Sequence, residues 1–485
     1  MADIPIPDQK ILARRPDIVA GLALLVRPDA LIISEEERRA YETDGLTARR
    51  CAPLAVVLPS TTEEVSAVLR FCNEEGVKVV ARGAGTSLSG GAIPQEDAIV
   101  VGLSKMNAVL SVNYANRTAR VQSGITNLAI SQAVGPEGFF YAPDPSSQLA
   151  CSIGGNIAMN SGGAHCLKYG VTTNNLLGVT IVLVDGTVLE IGGEYLDANG
   201  YDLLGLICGS EGQLGVVTEA TVRILRTAEA ARPALLGFDS AEAAGAAVAA
   251  IISGGIIPVA LEYMDRSAIE IAEGYAKAGY PLDVEAMLIV EVEGVVEEVD
   301  GTLDRIIEIA SAHRPRSIRV SRSAAESAAI WKGRKAAFGA TGRISDYICM
   351  DGVIPTGQLP FVLRRTSEIV ASHGLRVANV FHAGDGNLHP LILFDINKPG
   401  EMEKAERAGE ELLKLCIEVG GCLTGEHGVG IEKRDLMPFQ FNRADLDQQM
   451  RARAAFDPQW LLNPAKVFPL DGRATSVVVS NHAAR

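Results

Sequence analysis

The sequence predicts an α+β protein of two large parts, and three observations carry that reading. Residues 55–81 spell strand, helix, strand; residues 98–230 are dominated by strand patterns; residues 240–320 alternate helix and strand in regular order. Strands gathered in one region, with helices on one face of a sheet in another, are the texture of an α+β chain. At about 150 residues per domain, 485 residues give roughly three domains or two large ones.

The elements follow in order. Residues 1–50 are charged and moderately helical, with SEEERRAYETD at 34–44, and read as an N-terminal helical extension. AVVL at 55–58 is a short strand. Ser60 is then placed as a helix N-cap with Glu63 three residues on, a capping box. Val65, Val68, Leu69 and Cys72 follow at helical spacing, and Gly76 ends the helix. VKVVA at 77–81 is the next strand and runs into RGAGTSLSGGA at 82–92. AIVVGL (98–103) and ATVRIL (220–225) read as strands, and GVTIVLVDGTVLEIGG (178–193) as a hairpin turning at Asp185-Gly186. From 231 the text becomes alanine-rich: a helix to about 253, then IPVALEY, SAIEIAEGYAKAG, EAMLIVEVEG, EVDGTLDRIIEIASA and RSIRVS alternate strand and helix. Residues 325–450 add helices around two loops bearing glycine and histidine, and a polar tail after 471 is expected to fray.

Composition excludes several classes. Forty-four Lys+Arg against 59 Asp+Glu give a net charge of −15, which argues against nucleic-acid binding. A chain 47% hydrophobic and 21% charged is not intrinsically disordered. Eight cysteines without any C-x-x-C exclude zinc ribbons and ferredoxin-type cluster motifs, and read as reduced thiols in a cytoplasmic protein. The first ten residues carry no signal-peptide pattern. Residues 243–261 hold no charge, but their Ser-Gly-Gly and Pro258 break them into helix, turn and buried strand rather than a membrane span.

Three glycine-rich loops concentrate the chemistry. The first, at 83–91, follows a strand yet fails the Rossmann pattern, because Leu88 stands where the third glycine belongs and no helix follows. What remains is a row of backbone N–H groups with the Thr86, Ser87 and Ser89 hydroxyls, which suits a pyrophosphate; a flexible surface loop is the alternative. The second, 142–170, is a long stretch of Pro, Ser, Gly and Asn, and structureless loops of that length in compact domains are mostly functional. The third is GSEGQLG at 209–215. Together they suggest an extended, phosphate-bearing aromatic cofactor.

Three of only seven histidines fall in two short loops, HAGDGNLH at 382–389 and TGEHGVG at 424–430. His382, His389 and Glu426 make a three-point set suited to a divalent metal with open positions. Asp385 and Asn387 would orient the ligands, or merely build the turn.

The motifs AVVLPSTTEEV, RGAGTSLSGGA, PDPSSQ-x-ACSIGGN, HCLKYG, GSEG-x-LG-x-VTEATVRIL, FHAGDGNLHP and TGEHGVG, in this order over about 50–470, resemble the FAD-linked oxidase family. That fold is also called the vanillyl-alcohol-oxidase or PCMH type, and within it the chain is similar to the glycolate oxidase and D-lactate dehydrogenase branch. The resemblance implies a two-part PCMH-type FAD-binding domain at 51–230. A substrate or cap domain with a ferredoxin-like sheet would occupy 231–450, and a C-terminal segment at 451–485 would return to the flavin. By resemblance Arg82, Gly83, Ala84, Gly85, Thr86, Ser87, Leu88, Ser89, Gly90 and Gly91 hold the FAD pyrophosphate. Pro143, Asp144, Pro145, Ser146, Ser147, Cys151, Ser152, Gly154, Gly155 and Asn156 would line the isoalloxazine and ribityl chain. Gly162, Gly163, Glu211, Gly212, Gly215, Val216 and Val217 would complete the cleft, with Asn463 from FDPQWLLNPAKVF (456–468). In that last motif the family has glycines where this chain has Trp460 and Ala465.

The 82–92 loop contains no His or Cys, so the FAD is expected to be non-covalent, with His165 and Cys166 read as loop packing. In related 2-hydroxyacid dehydrogenases the residues matching His382, His389 and Glu426 bind a divalent metal (zinc, manganese or iron). The one matching His427 acts on the substrate hydroxyl, and the one matching Arg334 grips the substrate carboxylate, for which a guanidinium fork is the apt partner. Relatives that oxidise dicarboxylates carry a lysine near the position of Cys349, and its absence implies a small monocarboxylate. The expected activity is FAD-dependent oxidation of a small 2-hydroxy acid such as glycolate or D-lactate. Electrons would pass to a second flavin subunit and an iron–sulfur subunit, through which the chain would contact the inner membrane face. The alternatives are a stand-alone D-lactate dehydrogenase and a flavin-binding accessory subunit.

Overall fold

The structure, a computed structural model, describes residues 4–195 and 200–470; the expected frayed tail lies outside them. The chain forms two compact units. One is made of Ala2–Gly162, Val171–Arg226 and Glu426–Arg485, the other of Gly163–Gly170 and Thr227–Gly425. The chain therefore returns to the first unit at Glu426 rather than at 451. Among the described residues no helix is long and apolar enough to cross a membrane.

The first unit holds two sheets. In the smaller, Ala55–Val57, Ala98–Gly102 and Lys78–Arg82 run parallel, with the short strand Leu31–Ile32 antiparallel at the edge. The helix Thr62–Glu75 buries Val65, Val68, Leu69 and Cys72, as the spacing predicts. Its cap is shifted by one residue from the expected box. Thr61 Oγ1 accepts from Glu64 N at 3.2 Å, and Glu64 reaches back to Ser60 N at 2.6 Å. In a Ser-Thr-Thr-Glu-Glu run two registers offer the same chemistry, and the sequence alone does not choose between them. The larger sheet is antiparallel, in the order Val109–Asn113, Thr118–Gln122, Val216–Arg223, Leu176–Val182, Val188–Gly192. The last pair is the expected hairpin, with Asp185 Oδ1 accepting from Thr187 N at 2.9 Å and Gly186 at φ 83°. The stretch 142–170, expected as one long loop, contains two helices, Ile153–Met159 and Cys166–Tyr169. Ser152 caps the first, accepting from Gly155 N at 3.3 Å, so the glycine pair Gly154-Gly155 lies in a helix start rather than in a loop.

In the second unit Ala241–Ser253, Ala260–Asp265, Arg266–Ala276, Ala286–Gly294, Val296–Ser311 and Ser317–Val320 follow the expected alternation. Ala230–Phe238, expected within alanine-rich helical text, is instead a strand, because it is paired on both sides, by Ala286–Gly294 and Ser317–Val320. The four strands pair antiparallel in the order fourth, first, third, second, which is the ferredoxin-like arrangement. Arg376–His382 then adds to the edge of Ala260–Asp265 with His382 opposite Glu262. Met264, Met287 and Ile289 form the apolar floor under Ala268, Ile269, Ile330 and Ala337 of two covering helices.

The C-terminal return carries four left-handed residues that are not glycine: Trp460 (φ 57°), Asn463 (40°), Ala465 (62°) and Val467 (69°). Two of them stand where the resembling family has glycine. An L-residue there costs about 1–2 kcal/mol through Cβ–carbonyl crowding. Trp460 offsets this by packing: Arg453 lies 4.2 Å over its ring and Phe468 is 5.6 Å away. Ala465 has no comparable gain. Ala465→Gly should therefore raise stability by about 0.5–1 kcal/mol, seen as a melting temperature higher by on the order of 2 °C. A lower melting temperature would show that the left-handed alanine is not strained.

Candidate active site

In the first unit the strand Lys78–Arg82 delivers the chain into the 83–92 loop. A Cβ on Gly83 would lie 2.0 Å from Ser152 Oγ, and one on Gly85 (φ 72°) 2.0 Å from Arg82 Nη2. Glycine at 83 thus lets the cap of Ile153–Met159 close on the loop, and glycine at 85 lets the loop fold over a guanidinium. That guanidinium is committed elsewhere, donating to Thr43 O at 2.8 Å, so Arg82 ties the N-terminal extension to the loop. The amides of residues 84–88 donate to no acceptor among the described residues, which leaves a row of backbone N–H groups of the kind that holds an anion. Beside them is a cavity of about 420 Å³ lined by Gly83, Ala84, Ser104, Asn107, Gly124, Ile125, Thr126, Ala129, Ala150 and Ser152. Seven of these ten were not legible as site residues. Ser104 and Asn107 follow a strand and carry no motif, and only the close approach of Gly124 to Leu103 O marks its segment. The row of amides and the glycine approaches beside this cavity fit the pyrophosphate end of a dinucleotide.

The other loop residues sort by what they touch. Asn127, which no motif singled out, donates to Pro143 O at 3.0 Å and to Asn156 Oδ1 at 3.1 Å, while Asn156 Nδ2 lies 3.5 Å from Cys151 Sγ. Burial pushes the Cys151 thiol above its usual range. Ser147 and Pro145 carbonyls close the turn before Cys151. Gly154 and Gly215 are packing glycines, against Ser123 and Ile181. Val216 and Val217 are paired strand residues opposite Val182 and Ile181. Gly162 belongs to this unit and Gly163 to the other. Asn463 Nδ2 donates to Gly91 O at 3.0 Å and Glu211 O at 2.6 Å, pinning the first glycine loop to the third.

The second unit is organised by one carboxylate. Glu262 is fully buried in the strand Ala260–Asp265. Its Oε2 accepts from Arg334 Nε at 2.8 Å and lies 2.6 Å from Nη2, while its Oε1 is 2.7 Å from His382 Nδ1. Nδ1 of His382 is therefore the nitrogen turned to the carboxylate, and Nε2 is the one a metal would take. Burial alone would raise the Glu262 carboxyl; the charges and hydrogen bonds of His382 and Arg334 reverse this and hold it below the usual range. The rings of His382 and His389 meet edge-on at 5.2 Å. Asp351, also fully buried, has Oδ1 3.6 Å from His389 Nε2. Its Oδ2 accepts from Thr424 Oγ1 at 2.5 Å and Gly425 N at 3.0 Å, which fixes the chain one peptide before Glu426. Asp385 accepts from Asn387 N at 3.1 Å, a turn role, and Asn387 packs against Gly425. Cys349 is buried in the apolar core. The imidazole pair, with a carboxylate orienting one ring and another beside the second, is a donor set that fits a divalent ion.

Neither Glu262 nor Asp351 was singled out by the sequence. A glutamate inside the apolar strand text IPVALEY is the one available signal. Replacing Glu262 by Gln keeps the shape but leaves Arg334 a buried, uncompensated cation, a change worth about 3–5 kcal/mol. The native carboxyl titrates below its unfolded value of ~4.3, so its contribution is present above that pH and lost as the pH falls through the folded value. Glu262→Gln should therefore destabilise strongly at pH 7, with the gap to the wild type closing under acid. Denaturant midpoints at pH 7 and at successive steps below pH 4 check this, and a gap that does not narrow below pH 4 would contradict it.

Residues 53–192 match the FAD binding domain, and residues 227–467 match the C-terminal domain of FAD linked oxidases. The chain is 51% identical over 440 residues to glycolate oxidase subunit GlcD of Escherichia coli (strain K12), covering 90% of this chain and 88% of that one. It is 34% identical to the D-lactate dehydrogenase of Archaeoglobus fulgidus, covering 88% and 95%. The solved 4-ethylphenol oxidase from Gulosibacter chungangensis shares the fold, with a TM-score of 0.81 at 17% identity over 96% of this chain and 98% of that one. The chain belongs to the FAD-linked oxidase family.

Proposed function

We propose that the chain oxidises a small 2-hydroxy acid, glycolate or D-lactate, to the 2-oxo acid with non-covalent FAD and a divalent metal. One observation carries the reading: a single buried carboxylate holds both Arg334 and His382. A cation for a carboxylate and a ligating imidazole tied to the same group serve targets only an atom or two apart. A 2-hydroxy acid, with its hydroxyl on the carbon next to the carboxylate, is such a target.

Arg334 binds the carboxylate, its fork oriented by Glu262. His427 accepts the hydroxyl proton while the C2–H bond breaks, so the acid loses one proton and one hydride. FAD, held by the glycine loops, supplies the two-electron acceptor for that hydride. A zinc, manganese or iron ion on His382, His389 and Glu426 would supply polarisation of the substrate hydroxyl. With no cluster-type cysteine spacing in the chain and a 51% identical relative named as a subunit, we place a second flavin subunit and an iron–sulfur subunit downstream. Reduction of the flavin by substrate is read on the chain alone by anaerobic bleaching, whatever its natural acceptor.

Acid precipitation should release all the flavin unmodified; flavin retained on the polypeptide would refute non-covalent binding. Anaerobic bleaching by glycolate, D-lactate, L-lactate and D-2-hydroxyglutarate should be fastest with one of the first two. Removing any one of His382, His389 and Glu426 should cost about as much activity as removing two, because ligands of one ion act as a unit. His427→Ala should keep the metal and lose roughly 10²–10⁴-fold in rate, with normal flavin content in all variants. Full-rate bleaching by metal-free enzyme would defeat the metal reading.

A further inference from the structure

The turn that carries His427 is gripped by two of the glycine loops of its own unit. Ser89, in the first glycine loop, grips it from both sides: its Oγ donates to His427 O at 2.9 Å, and its carbonyl accepts from Ile431 N at 2.9 Å and Glu432 N at 3.1 Å. The approach is close enough that a Cβ on Gly430 would lie 2.1 Å from Ser89 O. Glu211, in the third glycine loop, is fully buried, and its two oxygens accept from two successive amides, Val429 N at 2.6 Å and Gly430 N at 2.8 Å. Asn463 holds Glu211 O and Gly91 O together from behind. Lys433 Nζ donates to Gly428 O at 3.2 Å, and Val467 N to Gly430 O at 3.0 Å.

We infer that Ser89 and Glu211 are positioning residues through which the flavin-binding loops set the place of His427, so that ordering of the cofactor loop and placement of the proton acceptor are one event. The inference rests on the reading of His427 as that acceptor. The physical reason is that both grips are buried and short, and the turn has two left-handed glycines (Gly428, φ 82°; Gly430, φ 55°) and so little rigidity of its own. A carboxylate that accepts two adjacent N–H groups has no substitute in the amide of glutamine, whose nitrogen would face one of those donors. A displacement of about 1 Å in a reacting group is enough to cost on the order of 10²-fold in rate.

The test uses flavin-loaded enzyme with Glu211→Gln and, as the milder change, Ser89→Ala. Three quantities are read: flavin stoichiometry, amide hydrogen exchange in the peptide spanning 427–432, and the rate of flavin reduction by the best substrate in the bleaching panel. With flavin content near one per chain, exchange of the Val429 and Gly430 amides should quicken at least tenfold in Glu211→Gln. Substrate-driven reduction should fall on the order of 10²-fold, while reduction by dithionite stays unchanged. In a His427→Ala background neither change should slow reduction further. If Glu211→Gln does not load flavin, the same comparisons in Ser89→Ala decide. Unchanged exchange, or an equal loss of rate with and without His427, would overturn the inference. A wild type that no 2-hydroxy acid bleaches would instead refute the proposed function, and the exchange measurement would still decide whether the flavin loops hold the turn.

Discussion

Everything specific in the second unit depends on Glu262 being both buried and ionised. A carboxylate in an apolar sheet is costly by itself, and it is stable here because two cationic or proton-donating partners meet its two oxygens. The strand order sets this up. Adding Arg376–His382 to the edge of Ala260–Asp265 puts His382 opposite Glu262, and the helix Ala324–Thr341 lays Arg334 over the same spot. The ion pair then acts as a clamp between sheet and helix. Its consequence is that a guanidinium and an imidazole are held in fixed relation before anything binds, the kind of pre-organisation the proposed function calls for.

The first unit solves a different problem, that of ordering loops with little side-chain mass. Its glycines Gly83, Gly85, Gly154 and Gly215 let other groups come close, and beside the first two runs the row of amides at 84–88. The loops are then cross-linked by side chains with several hydrogen-bonding arms: Asn127, Asn463, Glu211 and Ser89. Such networks are rigid when satisfied and costly when one member is lost. Asp351 does the equivalent job in the second unit, fixing Thr424 and Gly425.

Much of the fold was legible because its signals are periodic. The alternation from 240 to 320, the Asp185-Gly186 hairpin and the apolar face of Thr62–Glu75 all follow from residue spacing. What was not legible depends on contacts between distant segments. Glu262 looks like an ordinary strand residue until the register with His382 is known. Asn127 has no motif because its partners lie 16 and 29 residues away. The glycine-rich 142–170 stretch concealed helices because Gly154 pays its helix penalty to reach Ser123, a contact no local pattern announces. Trp460 and Ala465 show the converse: the departure from glycine was visible in the chain, yet the backbone keeps its left-handed course.

The central claim is that one buried carboxylate aligns a carboxylate-binding cation with a metal-ligating imidazole for a single small acid. The most direct measurement is calorimetric titration of oxalate, a non-oxidisable analogue, into metal-replete and chelator-treated enzyme. The account predicts one site per chain whose affinity falls by on the order of tenfold or more without metal and recovers when zinc or manganese is restored. Equal oxalate affinity with and without metal would contradict it.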